Sequence, residues 1–354
     1  MAAIEVLSAR RTGTASRAAP IGGVAFQWIM VALLGLLLGG LFLDGWAHTH
    51  DRVDQSFFTP WHAAFYSGYA SVGLGLAGAL LLNYRRGFLG RQAVPRGYEL
   101  SLLGVAIFGG GGGFDLWWHG SFGIERSMEA ATSPPHLLLA LGMALMFTGP
   151  FRAAWRDPAP ASGLLARLPA LLSLCYTWAL LGFMTQYAHP FVSPWAGTYQ
   201  GGGSSKVIGV SSVLLQTAVL MSLLLLTLRR WELQLGSLTI VFTLNAVLIS
   251  VLEDRFEVIP GAFAAGLLAD LLRGWLRPSY RRSFAFRLYA FAVPVVLYAC
   301  YFAVLAWTTG IAWTLHLWFG SIFLAGGVGW LLSYLALPPQ IPTEREKLVS
   351  PNGT

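Results

Sequence analysis

The stretch GGVAFQWIMVALLGLLLGGLFLDGWAHTH, residues 22–50, joins a long apolar run to a cluster of ionisable side chains. Residues 22–43 carry no charge and are long enough to cross the hydrocarbon core of a bilayer as an α-helix. Asp44, His48 and His50 follow directly, where the apolar run ends. Ionisable groups at membrane depth are costly and usually serve a function. The stretch therefore predicts a transmembrane helix that carries part of a functional site at one end.

The composition of the whole chain is typical of an integral membrane protein. Hydrophobic residues make up 55% of the 354 residues and charged residues only 11%. Apolar runs of transmembrane length recur along the chain, at 22–43, 61–83, 98–118, 134–151, 168–189, 207–228, 235–252, 259–276, 284–307 and 313–336. The run 259–276 is the weakest of these, because Asp270 and Arg273 interrupt it.

These ten runs predict an all-α polytopic membrane protein. An even number of spans gives five hairpins with both chain ends on one side, at 22–83, 98–151, 168–228, 235–276 and 284–336. The connections are too short to form a soluble module. We therefore predict a single transmembrane domain at 21–337, a polar N-terminal arm at 1–20 and a polar tail at 338–354.

The distribution of basic residues indicates the orientation of the chain. With the N-terminus in the cytoplasm, the opposite side receives only Arg52, Arg126, Lys206 and Arg255, and the cytoplasmic side receives all other basic residues. The positive-inside rule thus accounts for the net charge of +7 without a nucleic-acid partner. We predict a prokaryotic-type inner (plasma) membrane protein with both termini cytoplasmic and the lipid bilayer as its surroundings.

Two of the predicted hairpins carry the same pattern of ligand-type side chains. Each has an Asp, a His four residues later, then a proline and a second His two positions beyond it: Asp44, His48, Pro60 and His62, and Asp115, His119, Pro134 and His136. Residues four apart share one face of a helix, and proline suits the first turn of the returning helix. Each hairpin can therefore bring together one carboxylate and two imidazoles, which we name the first Asp/His set (Asp44, His48, His62) and the second Asp/His set (Asp115, His119, His136).

Three protein ligands with open coordination positions are typical of reactive metal sites. Imidazole with carboxylate suits copper, zinc or non-haem iron. Cys175 and Cys300 lie in apolar runs without a CxxC partner, which argues against an iron–sulfur cluster, a c-type haem and a cysteine-ligated zinc site. The two sets could form two separate sites or one shared cluster, and one Asp could instead orient a histidine.

A metal-free interpretation applies to single histidines, since histidine near a membrane surface often caps a helix or extends to the interface. We adopt it for His50, His189 and His316. Glu125 and Glu129, one helical turn apart, could move protons, supply further ligands or belong to a solvated loop helix. The run Gly109–Gly113 permits close helix packing or an unwound segment that lines a cavity.

The first set resembles a motif of a known family. The C subunit of the copper membrane monooxygenases, the particulate methane and ammonia monooxygenases, carries similar residues, which stand here as Asp44-Gly45-x-x-His48, Phe58-Thr59-Pro60-x-His62 and Phe65-Tyr66. The resemblance implies that Asp44, His48 and His62 ligate a metal, usually assigned as copper, near the outer face of the membrane. It also implies a small apolar substrate and further membrane subunits as partners. A second copy of the chain is another candidate partner.

The sequence is compatible with three functions. The first is metal-dependent oxidation of a small apolar substrate, and the second is transport or channelling of metal ions or protons. The third is a metal-free structural or assembly subunit, whose polar rim docks a partner. Transport would require polar groups that continue through the membrane, and the inner halves of the spans offer only Gln216, Asn245 and Asp270.

Overall fold

The computed structural model describes residues 20–52, 58–123, 128–157, 163–197 and 203–339. Within these ranges the protein is helical, and its β-structure is limited to one isolated bridge between Ser279 and Arg282. The helices in chain order are α1 Gly23–Thr49, α2 Pro60–Arg85, α3 Glu99–Phe122, α4 Met128–Thr132, α5 Pro134–Phe147, α6 Gly149–Trp155, α7 Leu164–Met184, α8 Gly203–Arg230, α9 Ser237–Ser250, α10 Val258–Leu276, α11 Ser283–Trp307 and α12 Leu315–Ala336.

The helices confirm a multi-pass membrane protein. In the described part of the chain, nine helical stretches are long and apolar enough to cross a membrane, with α5 and α6 forming one of them. A shorter apolar helix, Ser237–Glu253, corresponds to the predicted run 235–252. Every predicted run therefore overlaps a helix, although the run 134–151 is divided between α5 and α6 and the run 168–189 extends past the end of α7.

The most extensive helix contacts join α1 with α2, α3 with α5, α9 with α10, α10 with α11 and α11 with α12. The remaining two long helices behave differently, because α7 lies against α1, α6 and α9, while α8 packs mainly against α12. A continuous core of buried apolar side chains extends from α1 to α12. The Asp/His hairpins are thus packed into the bundle through α1, α5 and α7.

Asp270 explains how a carboxylate is accommodated inside the weakest predicted span. It is fully buried on α10, where its oxygens accept hydrogen bonds from the backbone N–H groups of Leu238 and Thr239, at 3.2 and 3.0 Å, and from the Thr239 hydroxyl at 2.8 Å. These amides belong to the first turn of α9, where a helix has no internal acceptors. Asp270 therefore caps a neighbouring helix, and α10 remains continuous.

Glycines bring α1 and α2 into backbone contact. A Cβ atom on Gly40 would lie 2.6 Å from the Cα of Phe65, and one on Gly68 would lie 2.5 Å from the Cα of Leu37. No side chain fits at such distances, so only glycine permits this approach. The two glycines therefore fix the register between α1 and α2.

The same arrangement recurs between α3 and α5. A Cβ atom on Gly142 would lie 2.8 Å from the Cβ of Phe108, and one on Gly111 would lie 3.3 Å from the backbone nitrogen of Leu139. The run Gly109–Gly113 stays helical within α3. The run is therefore not unwound, and close helix packing explains Gly111, whereas a Cβ atom on Gly110 or Gly113 would meet nothing within 4 Å.

Candidate metal centre

The first Asp/His set assembles where α1 ends and α2 begins. Asp44 Oδ2 lies 3.7 Å from His48 Nε2 and 3.5 Å from His62 Nε2. The candidate ligand atoms of the three residues all lie within 4.8 Å of one another. Pro60 starts α2, and the Thr59 hydroxyl accepts a hydrogen bond from the His62 N–H at 3.1 Å. This cap fixes the first turn of α2 and thereby the position of His62.

The second Asp/His set has the same construction at the end of α3 and the start of α5. Asp115 Oδ1 lies 3.3 Å from His119 Nε2 and 3.5 Å from His136 Nε2. These ligand atoms also lie within 4.8 Å of one another. Asp115 is buried, whereas Asp44 is partly exposed, so the second set is the deeper of the two. The structure thus brings together the three residues of each predicted set.

Glycines that the sequence analysis did not assign to the site position both sets. In each set the Asp lies four residues after a packing glycine, Gly40 or Gly111. That glycine faces the residue three positions after the returning His, Phe65 or Leu139. One helical turn separates these contacts from the ligands, so they determine how closely Asp and His approach. The signal in the sequence was the shared spacing Gly-x3-Asp-x3-His.

The carboxylate–imidazole distances suit ligands of one ion. They range from 3.3 to 3.7 Å, longer than the roughly 2.9 Å of a normal N–H···O hydrogen bond. Two ligand atoms at about 2.0–2.1 Å from a tetrahedral ion lie roughly 3.3 Å apart. Asp115 Oδ1, which faces the Nε2 atoms of His119 and His136, is buried and has no hydrogen-bond partner among the described residues. A bound cation would satisfy such an oxygen, so the residues fit a metal ion.

Hydrogen bonds to Nδ1 orient both imidazoles of the second set, those of His119 and His136. His119 Nδ1 lies 3.2 Å from the Gly123 carbonyl oxygen, which can only accept, so Nδ1 carries the hydrogen. The lone pair of its Nε2 is then directed at the Asp115 carboxylate unless a proton occupies it. His136 Nδ1 forms a hydrogen bond of 2.6 Å with the Ser133 hydroxyl, which can either donate or accept. In metal-bound histidine, one ring nitrogen is usually held by a hydrogen bond while the other binds the metal.

The two sets lie close enough to influence each other. Asp44 interacts electrostatically with both His136 and Asp115 of the second set. Tyr66, one turn after His62 on α2, is within electrostatic range of both aspartates. Its ring also faces α3, because a Cβ atom on Gly112 would lie 3.0 Å from it. The sets therefore occupy one end of the helix bundle as neighbours.

The two glutamates predicted beside the second set have different outcomes. Glu125 lies outside the described residues. Glu129 is exposed on α4, and its carboxylate makes no ion pair with another residue in the described ranges. A proton-transfer role for either glutamate stays a prediction.

His50 forms contacts away from both sets. Its ring stacks on Trp46 with centroids 4.8 Å apart, and its Nε2 lies 3.0 Å from Asp254 Oδ2. The hydrogen bond from Nδ1 to the Trp46 carbonyl raises the pKa of His50, and Asp254 adds to this effect. The residue joins the end of α1 to the turn before α10, in agreement with a structural role.

The other two histidines also lie apart from the sets. His189 is buried beyond the end of α7, and its Nδ1 accepts a hydrogen bond from the Phe191 N–H at 3.1 Å. Burial alone lowers the pKa of His189 to about 3. His316 is exposed in the first turn of α12. Neither belongs to a group of candidate metal ligands in the described ranges.

Comparison of the chain with protein-family models, with curated proteins and with solved structures gives no match in any of the three. The resemblance to the copper monooxygenase C subunit thus rests on residues 44–66 alone. The geometry of the two Asp/His sets is therefore the basis for the functional interpretation.

Proposed function

We propose that this protein binds metal ions at the two Asp/His sets. The observation that carries the proposal is the duplicated geometry, in which one aspartate oxygen lies 3.3–3.7 Å from the Nε2 atoms of two histidines. A single such contact would be an ordinary interfacial ion pair. Two copies with the same helix starts and the same packing glycines support a common ligand-binding role.

The proposal includes the orientation of the chain in the membrane. The chain forms five hairpins in a prokaryotic-type inner membrane, with both termini cytoplasmic and both sets on the extracytoplasmic side. The positive-inside distribution of the basic residues supports this orientation. Copper is the proposed metal because of the resemblance over residues 44–66, with zinc and non-haem iron as the alternatives that the ligand types also suit.

For the reaction, we propose oxidation of a small apolar molecule, R–H, to R–OH. Dioxygen is the oxidant, and an external donor supplies two electrons, which together with two protons reduce the second oxygen atom to water. Glu125 and Glu129 are the proposed proton-transfer groups. Leu116, Trp117 and Leu137 are exposed beside the second set, which supports entry of the substrate from the lipid.

Transport of ions is less well supported by the described residues. It would need polar groups free to bind the transported ion along the membrane. Asp270, the acidic residue inside α10, instead accepts three hydrogen bonds from α9. An assembly subunit of the metal-free kind would not bind metal on reconstitution. Metal analysis therefore distinguishes it from a metal-binding protein.

The test is metal analysis of the full-length protein purified in detergent and reconstituted with copper, zinc or iron. We expect stoichiometric metal in the wild type, loss of one portion in Asp44→Ala/His62→Ala and loss of the other in Asp115→Ala/His136→Ala. The exposed His316→Ala variant is the matched control and should retain all metal. Wild-type protein that remains metal-free after reconstitution would refute the proposal. Dioxygen consumption with candidate substrates then tests the oxidation separately.

A further inference from the structure

A cavity of about 520 Å³ lies at the surface, wide open to the outside, at the end of the bundle opposite the Asp/His sets. Its walls come from the start of α7, the end of α8, the α8–α9 connection and the end of α10, and the lining residues include Arg167, Arg230, Trp231, Glu232, Leu235 and Arg273. The cavity is far larger than a single inorganic ion requires. It therefore has room for an organic ligand.

The charge of this cavity is predominantly positive, with three guanidinium groups against the single carboxylate of Glu232. Arg167 donates a hydrogen bond of 2.7 Å to the Glu232 carbonyl oxygen, which holds its guanidinium at the wall. The guanidinium of Arg230 lies 5.9 Å from the ring centroid of Trp231. Arg273 Nε is buried without a hydrogen-bond partner among the described residues. An anionic ligand would balance the charge of the three guanidinium groups.

The chemistry of the cavity favours a phosphate group attached to an apolar molecule. One planar guanidinium group can donate two parallel hydrogen bonds to the oxygens of a phosphate. Arginine is therefore a preferred phosphate-binding residue. Leu235, which lines the cavity, is 60% exposed, and Trp231 adds an aromatic surface. Under the proposed topology the cavity lies at the cytoplasmic surface of the membrane, where basic pockets between helices can bind lipid headgroups.

We propose that this cavity binds the phosphate headgroup of an anionic phospholipid, with Arg167, Arg230 and Arg273 around the phosphate and the acyl chains leaving past Leu235. A free phosphate ion is also negatively charged, but it has no apolar part that would contact Leu235 and Trp231. The proposal is independent of metal binding at the Asp/His sets, because those lie at the other end of the helices.

The test is native mass spectrometry of the full-length protein in non-ionic detergent, titrated with phosphatidylglycerol, with phosphatidylcholine of the same acyl chains, or with inorganic phosphate. We expect phosphatidylglycerol to bind most tightly. The variant Arg167→Gln/Arg273→Gln should bind it roughly thirtyfold more weakly, since each arginine near a membrane surface contributes about a factor of five. The control Arg281→Gln/Arg282→Gln removes the same charge from exposed residues of the same end and should bind normally.

A gain-of-binding variant keeps the test decisive if loss of Arg273 impairs folding. Glu232 is exposed, and Glu232→Gln removes the only acidic side chain of the cavity lining, so phosphatidylglycerol should bind several-fold more tightly. Equal losses in the two arginine double variants would assign binding to diffuse surface charge and overturn the proposal. So would equal binding of the two lipids, inorganic phosphate binding as tightly as phosphatidylglycerol, or no gain in Glu232→Gln.

Discussion

At the scale of single residues, the histidine ring nitrogens determine what the two sets can hold. His119 Nδ1 donates to the Gly123 carbonyl, and its Nε2 faces Asp115 Oδ1 at 3.3 Å. Two lone pairs at this distance repel each other unless a cation lies between them. Imidazole and carboxylate bind a metal ion in their deprotonated forms, so protons compete with the metal for these atoms. Metal binding should therefore release protons and weaken as the pH falls.

Ser133 provides a direct test of how the second set is oriented. Its hydroxyl lies 2.6 Å from His136 Nδ1, and groups that hold a metal-bound imidazole typically change metal affinity by about 10–100-fold when removed. We expect Ser133→Ala to weaken metal binding at the second set by this amount and to leave the first set unaffected. Isothermal titration calorimetry measures both steps. Ser121→Ala, at an exposed serine near the end of α3, is the control and should change neither.

His189 should make the protein sensitive to acid. Burial lowers its pKa from 6.5 to about 3, so below pH 6.5 the unfolded chain binds a proton that the folded protein excludes. The contribution of neutral His189 to the free energy of unfolding is fully present above pH 6.5. It is lost as the pH falls towards 3. We expect His189→Gln to show a smaller loss of thermal midpoint than the wild type between pH 6.5 and about 5.

The exposed His316 provides the comparison for this acid effect, and His316→Gln should follow the wild-type pH profile. If His189→Gln and the wild type lose stability in parallel, His189 is not the group responsible.

At the scale of helices, packing glycines convert two local motifs into two assembled sets. Gly40 and Gly68 allow backbone contact between α1 and α2, and Gly111 and Gly142 do the same for α3 and α5. In each glycine pair, both residues lie within two helical turns of a ligand residue on the same helix. The distance between an Asp and the His of the returning helix is therefore a property of the helix pair rather than of the motif.

Gly40 and Gly39 form a matched pair for testing this point. A Cβ atom on Gly40 would lie 2.6 Å from the Phe65 backbone, whereas one on Gly39 meets nothing within 4 Å. We expect Gly40→Ala to separate α1 from α2, to destabilise the protein by about 1–3 kcal/mol and to weaken metal binding at the first set. Gly39→Ala should preserve both properties. Thermal unfolding and calorimetric metal titration of the two variants measure the difference, and equal metal affinities would contradict the proposed role of the glycine.

At the scale of the whole molecule, the two sets form one charged region at one end of the bundle. Asp44 interacts electrostatically with Asp115 and His136, which belong to a different helix pair. Low dielectric surroundings strengthen such interactions. A cation bound at one set should therefore disfavour a cation at the other.

This coupling predicts two metal-binding steps of unequal affinity in the wild type. In His48→Ala/His62→Ala the first set is disabled while the Asp44 carboxylate remains, so the second set should bind more tightly than the weaker wild-type step. Adding Asp44→Asn to this variant removes an attractive charge and should lower the affinity again. Calorimetric titration distinguishes the steps. Identical second-set affinity in all three proteins would show that the sets act independently.

Much of the fold follows from the sequence because transmembrane helices depend on local properties. The run 22–43 is long, apolar and uncharged, and it forms most of α1. The six residues of the sets were identified because helix periodicity and helix-starting prolines act over a few residues. The capping of α9 by Asp270 could not be identified this way, since its partners lie about thirty positions earlier and depend on how α10 packs.

The sequence by itself determined the helices and the ligand-type side chains at the end of each Asp/His hairpin. Helix formation in a membrane and the spacing of residues along one helix are consequences of short stretches. Only the tertiary structure decided that the two sets are neighbours, and that arginines from α7, α8 and α10 share a cavity. Contacts between helices far apart in the chain depend on the packing of whole surfaces, where a glycine such as Gly40 sets the distance.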